Sequence, residues 1–320
     1  MAEVVLGIDI GGTKLAAGVV DADGTVLSVG RRPTPAADGE RMWAEIVALL
    51  DEVAAGAAVS PPDLVGVGVG CGGPMEWPAG RVSPLNITGW RGFPLRDRLI
   101  QRYPGVPVRV HNDALCLVVA EHWRGAGRGL DDMLGMVVST GVGGGLILGG
   151  RLVDGGTGNA GHVGHLVVDP HGVPCACGGR GCLEAYARGP AISAWALELG
   201  WVPGAARGAA GAEATAVTLA ADTAAGDPIG AAAFARAGEA VGIAVASAAA
   251  LLDIDLVVIG GGISQVGEPV FGPLREALSR YAGLEFTRRV RVEPAAGGQA
   301  AGVLGAAALV LAGDRYWNAD

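Results

Sequence analysis

Apolar positions along the chain keep two rhythms, one of strands and one of helices. Val4–Ile10 is an apolar run closed by Gly11-Gly12, which predicts a buried strand and a tight turn. Residues 15–21 and 25–32 flank Ala22-Asp23-Gly24 and predict a hairpin. Residues 39–58 carry Trp43, Ile46, Val47, Leu50 and Val53 at helical spacing, and 64–70 alternate valine with glycine as a further strand. A short helix is expected over 94–103, a strand over 108–111 and a helix over 112–123. Three meander strands followed by helix, strand, helix, strand and helix make an α/β pattern with a mixed sheet.

The theme then repeats. Strands are expected over 133–139 and 145–148, with a continuation at 151–153. Helices follow at about 190–199, 213–225 and 227–252. A strand over 255–259 runs into Gly260-Gly261-Gly262, before a helix, a strand near 290–292 and a last helix over 299–312. Asp9-Ile10-Gly11-Gly12-Thr13 and Ser139-Thr140-Gly141-Val142-Gly143-Gly144 are alike enough to suggest an internal duplication, with a second unit starting near Asp113. Residues 203–211, all small around Arg207, are the expected mobile loop.

Composition narrows the partners. The chain has 320 residues, 50% of them hydrophobic, and a net charge of -9, which excludes a disordered chain and argues against a nucleic-acid partner. A mean hydropathy of +0.41 raises the question of a membrane. The uncharged stretch 133–150 holds seven glycines, and the runs 240–252 and 300–313 are too short to span a bilayer, so no membrane partner is expected. No signal peptide is expected before the first strand. Of five cysteines, three lie within 175–182, which suggests a metal site and a cytoplasmic setting more than a disulfide framework.

Three glycine turns each follow a strand: Gly11-Gly12, 141–145 and 260–262. Glycine lets backbone N–H groups close on an anion such as a phosphate. Each turn alone fits a purely structural role, but two of the three carry a threonine, Thr13 and Thr140. Thr13 precedes Lys14, the single lysine among 23 basic residues, so the order is wrong for a P-loop; nor does a GxGxxG mark the first turn. His165, Cys175, Cys177 and Cys182 form a donor set for tetrahedral zinc with no open position, hence a structural site. Cys71 and Cys116 read as small core residues. Asn112-Asp113, ending a strand and opening a helix, reads equally as an N-cap and as a general base at the carboxyl end of a strand.

Together these motifs resemble the ROK family (repressor, open reading frame, kinase) of actin-like sugar kinases, over nearly the whole chain. The carriers are Asp9-Ile10-Gly11-Gly12-Thr13-Lys14, Asn86 with Gly89-Trp90, Asn112-Asp113, 139–145, Gly161-His162-Val163-Gly164-His165 and the cysteine block 175–184. The resemblance implies two actin-like (ribonuclease H-like) α/β lobes with mixed sheets around a cleft. Residues 1–112 with a C-terminal helix at about 299–320 would form the smaller, and 113–298 the larger with the zinc loop. It implies ATP, Mg²⁺ and a hexose 6-hydroxyl acceptor, with Asp113 as catalytic base. Asp9 would hold hydrated Mg²⁺, while Gly11, Gly12, Thr13, Lys14, Thr140, Gly141 and Gly143 would bind phosphates and Gly261 and Gly262 would lie by the adenosine. Asn86, Asn112, Asp113, His162, His165 and Glu184 would line the sugar, His165 with its other nitrogen on zinc. A homo-oligomer, dimer or tetramer, is implied as well.

One position departs from the pattern. Glucokinases of the family usually carry Glu where His162 stands, and bacterial N-acetylmannosamine kinases can carry His there. An imidazole can donate to an acetamido carbonyl that a carboxylate would repel. Glucose and N-acylhexosamines are therefore both open as acceptors. Family repressors place a helix-turn-helix before the first strand. With that strand at Val4 and the charge acidic, repression is not the expected role, and a non-catalytic sugar sensor would be expected to lose Asp113 or the glycine turns, which are both present.

Overall fold

A computed structural model describes residues 3–35, 38–60, 63–84 and 87–319. In chain order its first part holds β1 (Val4–Ile10), β2 (Lys14–Asp21), β3 (Val26–Pro33), α1 (Gly39–Gly56) and β4 (Leu64–Cys71). Three two-residue strands follow, β5 (Met75–Glu76), β6 (Arg81–Val82) and β7 (Phe93–Pro94), then α2 (Leu95–Arg102), β8 (Val108–Asn112) and α3 (Asp113–Arg124). Next come β9 (Met133–Val138), β10 (Val142–Leu148), β11 (Arg151–Leu152), α4 (Glu184–Ala187), α5 (Gly189–Glu198), α6 (Ala216–Ala224) and α7 (Pro228–Leu252). The chain ends with β12 (Leu256–Gly260), α8 (Glu268–Tyr281), α9 (Glu285–Arg288), β13 (Arg291–Pro294), α10 (Ala301–Leu311) and α11 (Gly313–Tyr316).

The chain divides into two compact units: Met1–Asp131 with Gly145–Gly161 and Ala295–Asp320, and Asp132–Gly144 with His162–Pro294. The first is built on a mixed sheet of order β3-β2-β1-β4-β8, in which β1, β4 and β8 run parallel and β2 is antiparallel to both neighbours. Strand alternation sorts its side chains. Leu6, Ile8, Ile10, Val67 and Val69 join the α1 residues Met42, Ile46, Leu50 and Val53 in one core. Val5, Ala16 and Val20 pack with Val303 and Ala307 of α10 on the other face.

That second face explains the valine–glycine alternation of β4. A Cβ on Gly68 would overlap the carbonyl oxygen of Ala306, and one on Gly66 would meet Val310 at 2.5 Å. The glycines make a smooth strip on which α10 lies with its backbone against the sheet. Helix α3, expected in the larger lobe, belongs to this first unit, because a Cβ on Gly305 of α10 would overlap the backbone of Cys116.

The second unit centres on β12, parallel to β9 on one side and to β13 on the other. Helix α7 starts at Pro228, capped by the Asp227 side chain on the N–H of Gly230, and has 25 residues. The run 240–252 is only its second half; the whole helix is long and apolar enough to cross a bilayer by length and composition alone. Its partner is protein, however: Gly242 is tight against α8, where a Cβ would stand 2.5 Å from the oxygen of Leu274. Residues 203–211 are tied down at their start. The buried carboxylate of Asp222 accepts from Trp201 Nε1 (3.0 Å), Gly204 N (2.7 Å) and Arg207 Nε (2.7 Å).

Candidate active site

In the first unit the parallel strands β1, β4 and β8 deliver their carboxyl ends side by side. Asp9 stands opposite Gly70, Gly70 opposite His111, and Cys71 opposite Asn112. Open α/β sheets take ligands at such an edge. Asn112 caps α3, its Oδ1 accepting from Ala114 N at 3.0 Å, so the N-cap reading holds for this side chain. Asp113 Oδ1 accepts the same N–H at 2.8 Å. Its Oδ2 lies toward Gly72, where a Cβ would be 3.9 Å away, and at Gly70 a Cβ would come within 3.3 Å of the Asp113 Cα.

Asp9 shares this neighbourhood, in close contact with Gly302, where a Cβ would overlap its carboxylate. Desolvation, then the Asp113 charge, raise Asp9 to about 6, against an opposing pull from Lys14. Burial also raises Asp113, offset in part by the Ala114 N–H. The turn between β1 and β2 is closed by Gly11 N on Lys14 O (3.0 Å). Thr34 fastens it, through Oγ1 on Gly11 O (2.7 Å) and N on Thr13 O (3.1 Å). Gly12, Thr13 and Lys14 are left exposed. A raised carboxyl beside a second one is a setting that a divalent cation relieves, so Asp9 fits the metal role.

In the second unit the turn after β9 is held from two sides. Gly189 N donates to Ser139 O (2.8 Å), and Glu184 Oε2 accepts from Val142 N (2.8 Å). Glu184, expected to face sugar, thus braces the glycine turn, with its Oε2 3.1 Å from where a Gly141 Cβ would be. Gly143 sits within β10. Beside the turn lies a cavity of about 620 Å³, lined by Thr140, Gly189, Leu197, Ala216, Gly262 and Ile263 among others. It is largely apolar, as a nucleobase site is. Gly261, next to the lining Gly262, takes φ +92°, a conformation open to glycine, and a Cβ there would overlap the backbone of Val138.

His165, Cys175, Cys177 and Cys182 offer ligand atoms that all lie within 4.8 Å of one another, and all five cysteines are free thiols. Turns at 175–182 bring them together, with Gly178 N on Cys175 O (3.0 Å) and Cys175 N on Gly179 O (2.9 Å). Three sulfurs and one imidazole suit tetrahedral zinc. The His162 and His165 rings stack at 6.5 Å, both exposed. Asn86 lies outside the described residues. Residue patterns did not predict the cavity wall from α5 and α6, whose small and aliphatic side chains carry no motif. They also missed Asp154, which reaches His111 across 43 positions.

A model of the ROK family matches residues 5–312. A glucokinase of Thermotoga maritima is 36% identical over 321 residues, covering 96% of this chain and 96% of that protein. An N-acetylmannosamine kinase of Yersinia pseudotuberculosis is 33% identical over 302 residues, covering 94% and 96%. The crystal structure of a ROK family glucokinase from Streptomyces griseus, in complex with glucose and AMPPNP, matches with a TM-score of 0.82 at 35% identity, over 96% of this chain and 99% of that one.

Proposed function

The chain belongs to the ROK family and is a sugar kinase, and from that premise we propose that it moves the γ-phosphoryl group of ATP to the 6-hydroxyl of a hexose with Asp113 as base. The observation that carries this role is the placing of Asp113. It opens α3 at the carboxyl ends of three parallel strands, with Oδ1 tied to Ala114 N and Oδ2 left toward Gly72. Oδ2 takes the proton as the sugar oxygen attacks phosphorus. Transfer of this kind is mostly positioning and charge stabilisation, so a carboxylate fixed in direction is what the step asks of the protein.

Asp9 holds the hydrated Mg²⁺, which when bound neutralises phosphate charge. The backbone around Gly11, Gly12 and Thr13, with Lys14, and the turn Thr140-Gly141-Val142-Gly143 take the phosphates. The cavity beside Gly261 and Gly262 takes the adenine. Asn112, His162, His165 and Glu184 bind the sugar, together with Asn86, and Glu184 offers Oε1 while Oε2 keeps Val142. His165, Cys175, Cys177 and Cys182 would hold zinc, which would fix the imidazole tautomer. Free thiols accord with a cytoplasmic setting. Homo-oligomeric assembly, as dimer or tetramer, rests on the family resemblance; a monomer mass in sedimentation at assay concentration rejects it.

The test is Asp113→Asn, expected to lower kcat about 10²–10⁴-fold with sugar binding largely kept. Turnover at the parent rate removes Asp113 as base. The acceptor has a second reading, because His162 replaces the usual Glu and an N-acetylmannosamine kinase is among the relatives. His162→Glu is expected to raise the ratio of kcat/KM for glucose over N-acetylmannosamine, and an unchanged ratio shows that the position does not select.

A further inference from the structure

We infer that His111 is a positioning residue for this reaction, a buried strut between Asp154 and the backbone nitrogen of Asn112, one residue before Asp113. The inference rests on the reading of Asp113 as the base. His111 has no exposed surface, and a buried imidazole must find partners for both nitrogens. It finds them in opposite directions. Nδ1 lies 2.9 Å from the backbone nitrogen of Asn112, and Nε2 lies 2.9 Å from Asp154 Oδ1. An amide N–H can only donate, so Nδ1 is the acceptor, and Nε2 carries the proton that goes to Asp154.

The far end of the strut is fixed in turn. Asn318 Nδ2 donates to Asp154 Oδ2 at 2.7 Å and to Leu152 O at 3.0 Å. The rings of Trp77 and Trp317 close on the imidazole with centroids 5.9 and 6.4 Å away. At the near end, two bonds bracket the base. The N–H just before Asp113 is held by the His111 ring, and the N–H just after it by Asn112 Oδ1 and by Asp113 itself. The direction of the carboxylate is thereby set from outside its own helix. A small error in that aim costs rate and leaves ground-state binding alone.

Two substitutions separate the ends of the strut. His111→Asn sets an amide oxygen where Nδ1 sits and keeps the acceptor for Asn112. His111→Gln sets an amide nitrogen where Nε2 sits and keeps the donor to Asp154. We expect His111→Gln to lose about 10–100-fold in kcat with KM for sugar and ATP within about twofold, and His111→Asn, which keeps the bond to Asn112 but gives up Asp154, to lose only about 3–10-fold in kcat. Should either fail to fold, Asn318→Ala carries the test, with kcat expected to fall about 3–10-fold at unchanged KM. Equal kcat losses in the two His111 variants, a loss confined to KM, or full kcat in Asn318→Ala overturns the inference. Asp113→Asn in the same series keeps the two readings apart. If it turns over normally the base assignment falls, whereas if it is dead while His111→Gln is fully active only the strut falls.

Discussion

Asp9→Asn is expected to stabilise the nucleotide-free protein while removing its phosphoryl transfer. In the fold, burial and the Asp113 charge raise the Asp9 carboxyl from 3.8 to about 6. An acid raised in this way favours the fold below its unfolded value, and that contribution is lost as pH climbs through about 6. A shift of about two units at about 1.4 kcal/mol each sets a ceiling of roughly 3 kcal/mol, with the opposing pull of Lys14 already counted in that shift. Asparagine carries no charge at any pH, so the variant escapes the loss. Urea unfolding without Mg²⁺ or nucleotide should find the two proteins equally stable at pH 3 and the variant ahead by about 1–3 kcal/mol at pH 7.5. A difference independent of pH, or a variant weaker at pH 7.5, refutes the reasoning that two carboxyls here work against the fold.

Three further outcomes are expected. Metal analysis of the native chain should give about one zinc per chain, and Cys177→Ser should lower both zinc content and activity; a metal-free, fully active preparation rejects the site. Gly68→Ala should cost about 3 kcal/mol or more, because the clash is with helix backbone that cannot turn aside, whereas Gly156→Ala, with open space around it, should stay within about 0.5 kcal/mol. Asp222→Asn should cost about 2 kcal/mol by loosening Arg207, Trp201 and Gly204, and should open residues 203–211 to limited proteolysis; unchanged cleavage rejects the anchor.

What the sequence made legible follows from how far each signal reaches along the chain. The strand ends at Asp9 and Asn112, the glycine turns and the cysteine loop are local patterns, and each appears in the fold within a few residues of where it was expected. The valine–glycine alternation of β4 announced a strand, but its reason lies in α10, more than two hundred residues on. The cavity wall on α5 and α6 is made of small and aliphatic side chains whose meaning is their mutual placement. His111 looks like any core histidine until Asp154 and Asn318 are beside it. The start of β10 at Val142, ahead of the expected 145, reflects the same thing: the brace from Glu184 on Val142 N lets the strand begin inside a glycine-rich turn.

The way α10 completes the first sheet bears on how the chain is made. Residues 295–320 belong to the first unit yet are synthesised after the whole of the second. During translation the smooth glycine strip of β4 and the apolar side chains of Val5, Ala16 and Val20 therefore wait uncovered while Asp132–Gly144 and His162–Pro294 can already collapse. The half of the protein that leaves the ribosome first is the half that matures last, and its bare strip stays open to aggregation until residues 295–320 arrive.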